Sequence, residues 1–291
     1  MNHTDIGRVL LWMSGTLLSF SVMAVSIRGL ADVLNVFEML GIRSGSGTLI
    51  LLTLIAMRPE LRHALTAKRL PLHALRNTIH FAAQVAWAQS VVLLPLATVF
   101  ALEFTTPIWV ALLAVVALGE RMTLNRAGTV AIGFAGVLII LRPGMESFQP
   151  AALLVLGAAV GFAITSVTTK KLTASESTFA ILFWMNLMQL PMNLVGSDPL
   201  FITKLGAPHL LPALGVAISG IASHYCLTNA FRAGDALIVV PLDFLRIPLI
   251  ALVGWTFYGE DLDGIVFLGA GLIIAGILWN LLAEAKQRPA G

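Results

Sequence analysis

Three groups of polar side chains stand inside otherwise apolar stretches of the chain, at spacings that bring several of their members onto one helix face. His80, Gln84 and Trp87 are spaced i, i+4, i+7, which lines up an imidazole, an amide and an indole along one stripe. Such groups hold a solute by hydrogen bonding and stacking; they equally well join neighbouring helices. His224, Thr228 and Asn229 form a second set, with His224 and Thr228 one turn apart. The third set carries charge. Glu103 and Thr106 precede Pro107, whose missing N–H leaves the Glu103 carbonyl without its helical donor and marks a hinge. Asp243, Arg246 and Pro248 are the counterpart, with Asp243 and Arg246 i, i+3 and able to form an ion pair, or else a gate or substrate contact. Glu103 has no basic neighbour on its own stretch, so it is protonated, paired with Arg43 or Arg246 from another stretch, or solvated. Arg43, flanked by Gly41, Ser44 and Gly45, is expected to partner an acid, the alternative being a carboxylate-binding group. Trp87 and Trp109 lie deep enough to stack on an apolar or aromatic solute. Glu103 and His80 are the candidates for proton coupling.

These groups need a membrane-spanning frame. Of the 291 residues, 58% are hydrophobic and 11% charged, against about 25% charged in a soluble domain. A mean hydropathy of +0.90 spread over the whole chain excludes a soluble enzyme and a single anchor on a soluble body. The one cysteine, Cys226, excludes an intrachain disulfide and a cysteine-rich metal site; no metal or cofactor is expected.

Spans of some 20 apolar residues fall at about 9–27, 36–57, 73–93, 97–118 and 127–141, then at about 151–169, 177–195, 210–230, 236–257 and 264–282. The fifth is short and is expected to run a turn into its flanks. With the N-terminus inside, Arg28, Arg142 and Lys204 lie outside, Arg43 and Arg246 fall within spans, and the other 13 of the 18 Lys and Arg lie inside. This bias places both termini in the cytoplasm. It also accounts for the net charge of +3 through anionic headgroups, with no nucleic-acid partner.

Written above each other at an offset of 140, residues 97–141 and 237–281 match at spaced positions: Val99 with Val239, Leu102 with Leu242, Phe104 with Phe244, Gly119-Glu120 with Gly259-Glu260, and Ala135-Gly136 with Ala275-Gly276. Glu103 falls on Asp243, and Gln84 on His224. The Gly-Glu pairs suit helix ends, where glycine takes the left-handed cap. Five spans per copy make the second copy enter the membrane upside down, the plan on which transporters alternate access to a central site. The expected fold is an all-α integral membrane protein, ten transmembrane helices as two inverted five-helix repeats, residues 1–145 and 146–291.

The proline of the fourth span, the Gly-Glu end and the Gly-rich fifth span (Gly128, Gly133, Gly136), with their second copies Pro248, Gly259-Glu260 and Gly269, Gly271, Gly276, resemble the drug/metabolite transporter superfamily in its ten-helix EamA-type form. Within it the chain is most similar to YddG-like amino acid exporters. The resemblance covers nearly the whole chain. It implies an inner-membrane exporter of small metabolites, amino acids among them, apolar or aromatic ones included. Oligomeric state is left open. The alternatives are another small molecule (a nucleoside, vitamin or drug), a membrane-embedded enzyme acting on lipid, or a signalling protein. No HExxH, GxSxG or Walker lysine motif is present in the sequence, so no enzyme and no ATP-driven pump is expected.

Overall fold

In a stretch without water the backbone must satisfy its own N–H and C=O groups, so the apolar spans can only be helical or close into a barrel. The computed structural model describes residues 5–66, 68–93, 102–141, 151–246, 248–249, 252, 255–256 and 264–286. Helices are α1 (Ile6–Arg28), α2 (Val36–Met57), α3 (Leu70–Leu93), α4 (Thr106–Leu118) and α5 (Leu124–Leu141), then α6 (Ala152–Thr173), α7 (Thr178–Leu194), α8 (Ala207–Ala233), the single turn α9 (Ala236–Val239) and α10 (Gly264–Lys286). No strand occurs among the described residues. The chain is an all-α integral membrane protein: α1, α2, α6 and α8 each hold a stretch long and apolar enough to cross a bilayer.

Local chemistry sets the helix ends. Asp5 caps α1 by accepting from Arg8 N at 3.1 Å. Asn35 and Glu38 cap each other at the start of α2, and Ser177 Oγ accepts from Ala180 N at the start of α7. Gly119, at φ +69°, ends α4 in the left-handed conformation that a side chain disfavours. The fifth span does extend by one turn, beginning at Leu124.

Helices α1 and α8 pack along their lengths, as do α3 and α6, α2 and α7, and α5 and α10. Exchanging the first five helices for the last five maps this set onto itself, with α1–α8 becoming α6–α3. Small residues permit the close approaches: a Cβ on Gly161 of α6 would lie 2.8 Å from Ala83 Cβ of α3, whereas Gly157 faces open space. Outward faces carry leucine and valine, such as Leu49, Val116 and Leu211, exposed to the lipid side. Trp255 and Trp279 are exposed in the same way, and Trp12 packs edge-to-face on Tyr225 at 5.6 Å.

The structure departs from the sequence reading at several points. Pro107 does not kink a continuous helix: residues 104–105 form a turn, and Pro107 sits in the first turn of α4, where its missing N–H costs nothing. The Glu103 carbonyl freed by the proline takes the Thr106 hydroxyl instead, at 2.6 Å. The ninth span is irregular at a matching point, α9 giving way to a 3₁₀ segment, Val240–Leu245, that leads to Arg246. Arg76, counted above among the inside charges, belongs within α3 and is 2% exposed. Residues 94–101, Arg142 and Gly259-Glu260 lie outside the described residues.

Candidate functional site

A cavity of about 260 Å3 runs between the two sets of helices. It is lined by α1, α2, α3, α6 and α8 and by the two irregular segments beside α4 and α9. Broken helices at a midplane site expose backbone and polar side chains only where a cavity accepts them. Eleven of the fourteen residues singled out in the sequence line it: Arg43 from α2; His80, Gln84 and Trp87 from α3; Glu103, Thr106 and Pro107; His224 and Thr228 from α8; Asp243 and Arg246.

At one end Arg246 Nη2 donates to Glu103 Oε1 at 2.9 Å and reaches Asp243 Oδ2 at 3.1 Å. Trp87 Nε1 donates to the other Glu103 oxygen at 2.7 Å. The guanidinium also lies over Phe20 and Phe104, at 5.6 and 5.1 Å from their ring centres. Of the three alternatives for Glu103, pairing with Arg246 is the one realised. One partly buried cation thus serves an acid from each half of the chain, whose sequence equivalence placed Glu103 on Asp243.

At the other end Arg43 Nη1 meets His224 Nε2 at 3.0 Å, and Nη2 donates to Gln189 Oε1 at 2.7 Å. A guanidinium has no acceptor, so Nε2 must accept and the His224 ring is neutral. This corrects the expectation that Arg43 partners an acid: its neighbours are an imidazole and an amide. Gly220 makes the arrangement possible, since a Cβ there would lie 2.2 Å from Arg43 Cγ. His80 stands edge-to-face with His224 at 5.4 Å, and neither of its ring nitrogens has a hydrogen-bond partner among the described residues. Phe162 packs on His80 at 5.9 Å and Phe20 on His224 at 6.1 Å. Phe20 therefore separates the two charged ends.

Three candidates fall elsewhere. Trp109 is 37% exposed on the outside of α4. Asn229 accepts from Thr178 Oγ1 and donates to the Tyr225 carbonyl, a helix-joining role that its position next to Thr228 turns away from the cavity. Pro248 lies beyond the 3₁₀ segment and is not among the lining residues. Sequence reasoning missed Arg76, Phe20 and Phe162. Arg76 carried a readable signal, since it precedes His80 by one turn and so continues the His80, Gln84, Trp87 stripe.

A second polar cluster ties the two halves at one end of the bundle. Glu120 accepts from the backbone N–H groups of Ala236 and Leu237, at 2.8 and 3.0 Å, and so caps α9 rather than the helix that follows it in sequence. Burial pushes the Glu120 carboxyl above its ordinary range, and the two N–H donors partly offset this. Arg126 pairs with Asp235 at 3.1 Å, and Lys170 donates to the carbonyls of Phe231 and Gly234.

The EamA-like transporter family matches the chain twice, over residues 7–142 and 149–282. The chain belongs to the EamA-like transporter family. Its relatives include a riboflavin transporter of Rhizobium johnstonii, 34% identical over 205 residues (69% of this chain and 67% of that one). An S-adenosylmethionine uptake transporter of Rickettsia felis is 27% identical, covering 94% of this chain and 92% of the other. A pseudopaline exporter of Pseudomonas aeruginosa is 28% identical over 89% and 91%. A crystal structure at 17% identity aligns with a TM-score of 0.79 over 97% of this chain and 99% of that one, which establishes the shared fold. This EamA-family chain is accordingly a multi-pass transporter of small molecules, and the cavity is its candidate substrate site.

Proposed function

We propose that this EamA-family protein exports amino acids, apolar and aromatic ones included, across the inner membrane by alternating access to the central cavity. The observation that carries the reading is the cavity itself: it lies between the two matched repeats, is lined by irregular segments from both, and combines charged groups at its ends with Phe20 between them. Two inverted halves, residues 1–145 and 146–291 with both termini cytoplasmic, exchange which mouth is open by rocking about that site. In this orientation the Glu120 and Arg126–Asp235 cluster lies at the cytoplasmic end. Glu103 and His80 carry the coupling proton.

A second reading, transport of a vitamin, is favoured by one observation, the 34% identity to a riboflavin transporter. Uptake by proteoliposomes separates the two. The panel is radiolabelled amino acids, S-adenosylmethionine and riboflavin, with and without a pH gradient. Saturable amino acid uptake that the gradient alters is the expected outcome; Glu103→Gln and His80→Ala should abolish the effect of the gradient. Uptake of riboflavin alone would replace the first reading with the second. Uptake of amino acids that is indifferent to the gradient in all three proteins would remove the coupling role.

A further inference from the structure

The charges lining the cavity do not balance: three guanidiniums, Arg43, Arg76 and Arg246, face two carboxylates, Glu103 and Asp243. Both carboxylates are bound by Arg246. Arg43 and Arg76, each 2% exposed, are left with neutral partners among the described residues. Arg76 donates Nε to Thr169 Oγ1 at 2.7 Å and Nη1 to Asn77 Oδ1 at 2.7 Å. Arg43 spends two donors on His224 and Gln189, and its Nε has no partner. His80, on the same face of α3 as Arg76, adds two unpartnered ring nitrogens.

Buried cations without counter-ions are costly at membrane depth, by several kcal/mol each. A pair that existed only to hold helices together would be cheaper as an acid–base pair or as apolar residues. What recovers the cost is an anion that enters the cavity, and guanidiniums suit an oxyanion because their planar N–H fork meets two of its oxygens at once.

We propose that Arg43, Arg76, His80 and His224 form an oxyanion-binding subsite that receives a carboxylate or phosphate carried by the transported substrate. The substrate's remaining part then lies along Phe20 toward the Glu103–Arg246–Asp243 end, where Asp243 lines the cavity and its Oδ1 has no hydrogen-bond partner among the described residues. An α-amino acid, with an ammonium group near its carboxylate, has charges of both signs to offer such a cavity. The subsite deepens the transport reading and rests on it for the identity of the cavity.

The test is equilibrium binding to the purified full-length protein in nanodiscs, using matched probes that differ in the anionic group: L-phenylalanine against L-phenylalaninamide, and flavin mononucleotide against riboflavin. The subsite requires that the member of at least one pair that bears the carboxylate or phosphate bind at least 10-fold more tightly than the partner that lacks it. The first pair reports a carboxylate and the second a phosphate. Arg43→Met and Arg76→Met should each weaken binding of the carboxylate- or phosphate-bearing probe 10-fold or more while leaving the partner that lacks the group unchanged, and Arg43→Lys should restore part of the loss. Size-exclusion and thermal-unfolding profiles establish that each variant is folded, and either arginine variant suffices. Equal binding within both pairs, anion binding unaffected by both methionine variants, or binding of none of the four probes would overturn the subsite. Failure of the transport reading looks different: the anion binds with the expected discrimination, yet is not accumulated by proteoliposomes.

Discussion

The two ends of the cavity treat the same side chain in opposite ways. Arg246 is held between Glu103 and Asp243, with Trp87 completing the acid's hydrogen bonds and two phenylalanine rings against the guanidinium. Arg43 has a neutral imidazole and an amide, and Arg76 a hydroxyl and an amide. The first end is a set whose charges answer one another, and it pins the irregular segments of the two halves together. The second end is an open set with donors to spare. Buried charge that is satisfied within the protein stabilises it; buried charge that is not satisfied is kept at the expense of stability and marks where a ligand acts.

Substitutions at the two ends should therefore move stability and binding in opposite senses. The largest stability effect is expected for Arg246→Met, which leaves two carboxylates facing each other without a cation and should cost about 3–5 kcal/mol. Thermal unfolding in detergent checks this. A loss below 1 kcal/mol would mean that the pairing does not hold the halves. Arg43→Met removes a cation that lacks a counter-ion, so its stability should stay within about 1 kcal/mol of the parent or rise, while substrate transport falls 10-fold or more. A destabilisation matching that of Arg246→Met would erase the contrast between the ends.

A finer probe is Gly220→Ala. The added Cβ would meet the Arg43 side chain at 2.2 Å, so the arginine must shift. Overpacking of this kind costs about 1–3 kcal/mol, and transport should weaken without vanishing. Unchanged stability and transport kinetics would show that Arg43 has room to move.

The smallest effects belong to the cluster at the bundle end. Asp235→Asn breaks a partly exposed ion pair with Arg126 and should cost about 0.5–1 kcal/mol. Glu120 supplies the pH dependence. Its folded-state pKa is raised above the ordinary 4.5, chiefly by burial. The folded protein therefore binds the proton more tightly than the unfolded chain does, and stability from this group falls as pH rises from 4.5 through the raised value. Glu120→Gln should flatten that slope, read from thermal unfolding between pH 4.5 and neutrality. An unaltered slope would place the titration elsewhere.

Much of the fold was legible because bilayer physics acts locally. Apolar length, turn residues and caps are properties of a few consecutive residues, and the helix bounds of α2, α6 and α8 follow them closely. The repeat was legible for a related reason, since equivalent environments in two copies keep equivalent residue types: Glu103 and Asp243 do occupy equivalent places around Arg246. The face-sharing stripe on α3 was likewise readable, and its extension to Arg76 was within reach. Arg76 was counted only as an inside charge at the start of the 73–93 span, whereas α3 begins six residues before it.

What the one-dimensional pattern lacks is the identity of the partner across space. Whether Arg43 meets an acid or an imidazole depends on how α2 crosses α8 at Gly220, and nothing in either segment alone specifies that crossing. The same holds for Pro107, where removal of an N–H is certain from the residue type but only the surrounding chain decides whether the helix bends or begins there. Asn229 and Thr228 are adjacent in sequence, yet the 100° between successive helical residues sends one to the cavity and the other to α7. The sequence by itself determined a membrane frame of repeated helices and the depth of its polar groups, because burial in lipid constrains each span independently. The tertiary structure alone decided which cations are satisfied and which are left for a ligand, because charge compensation is a property of pairs, and the deciding pairs, Arg246 with Glu103 and Arg43 with His224 and Gln189, join residues more than a hundred positions apart.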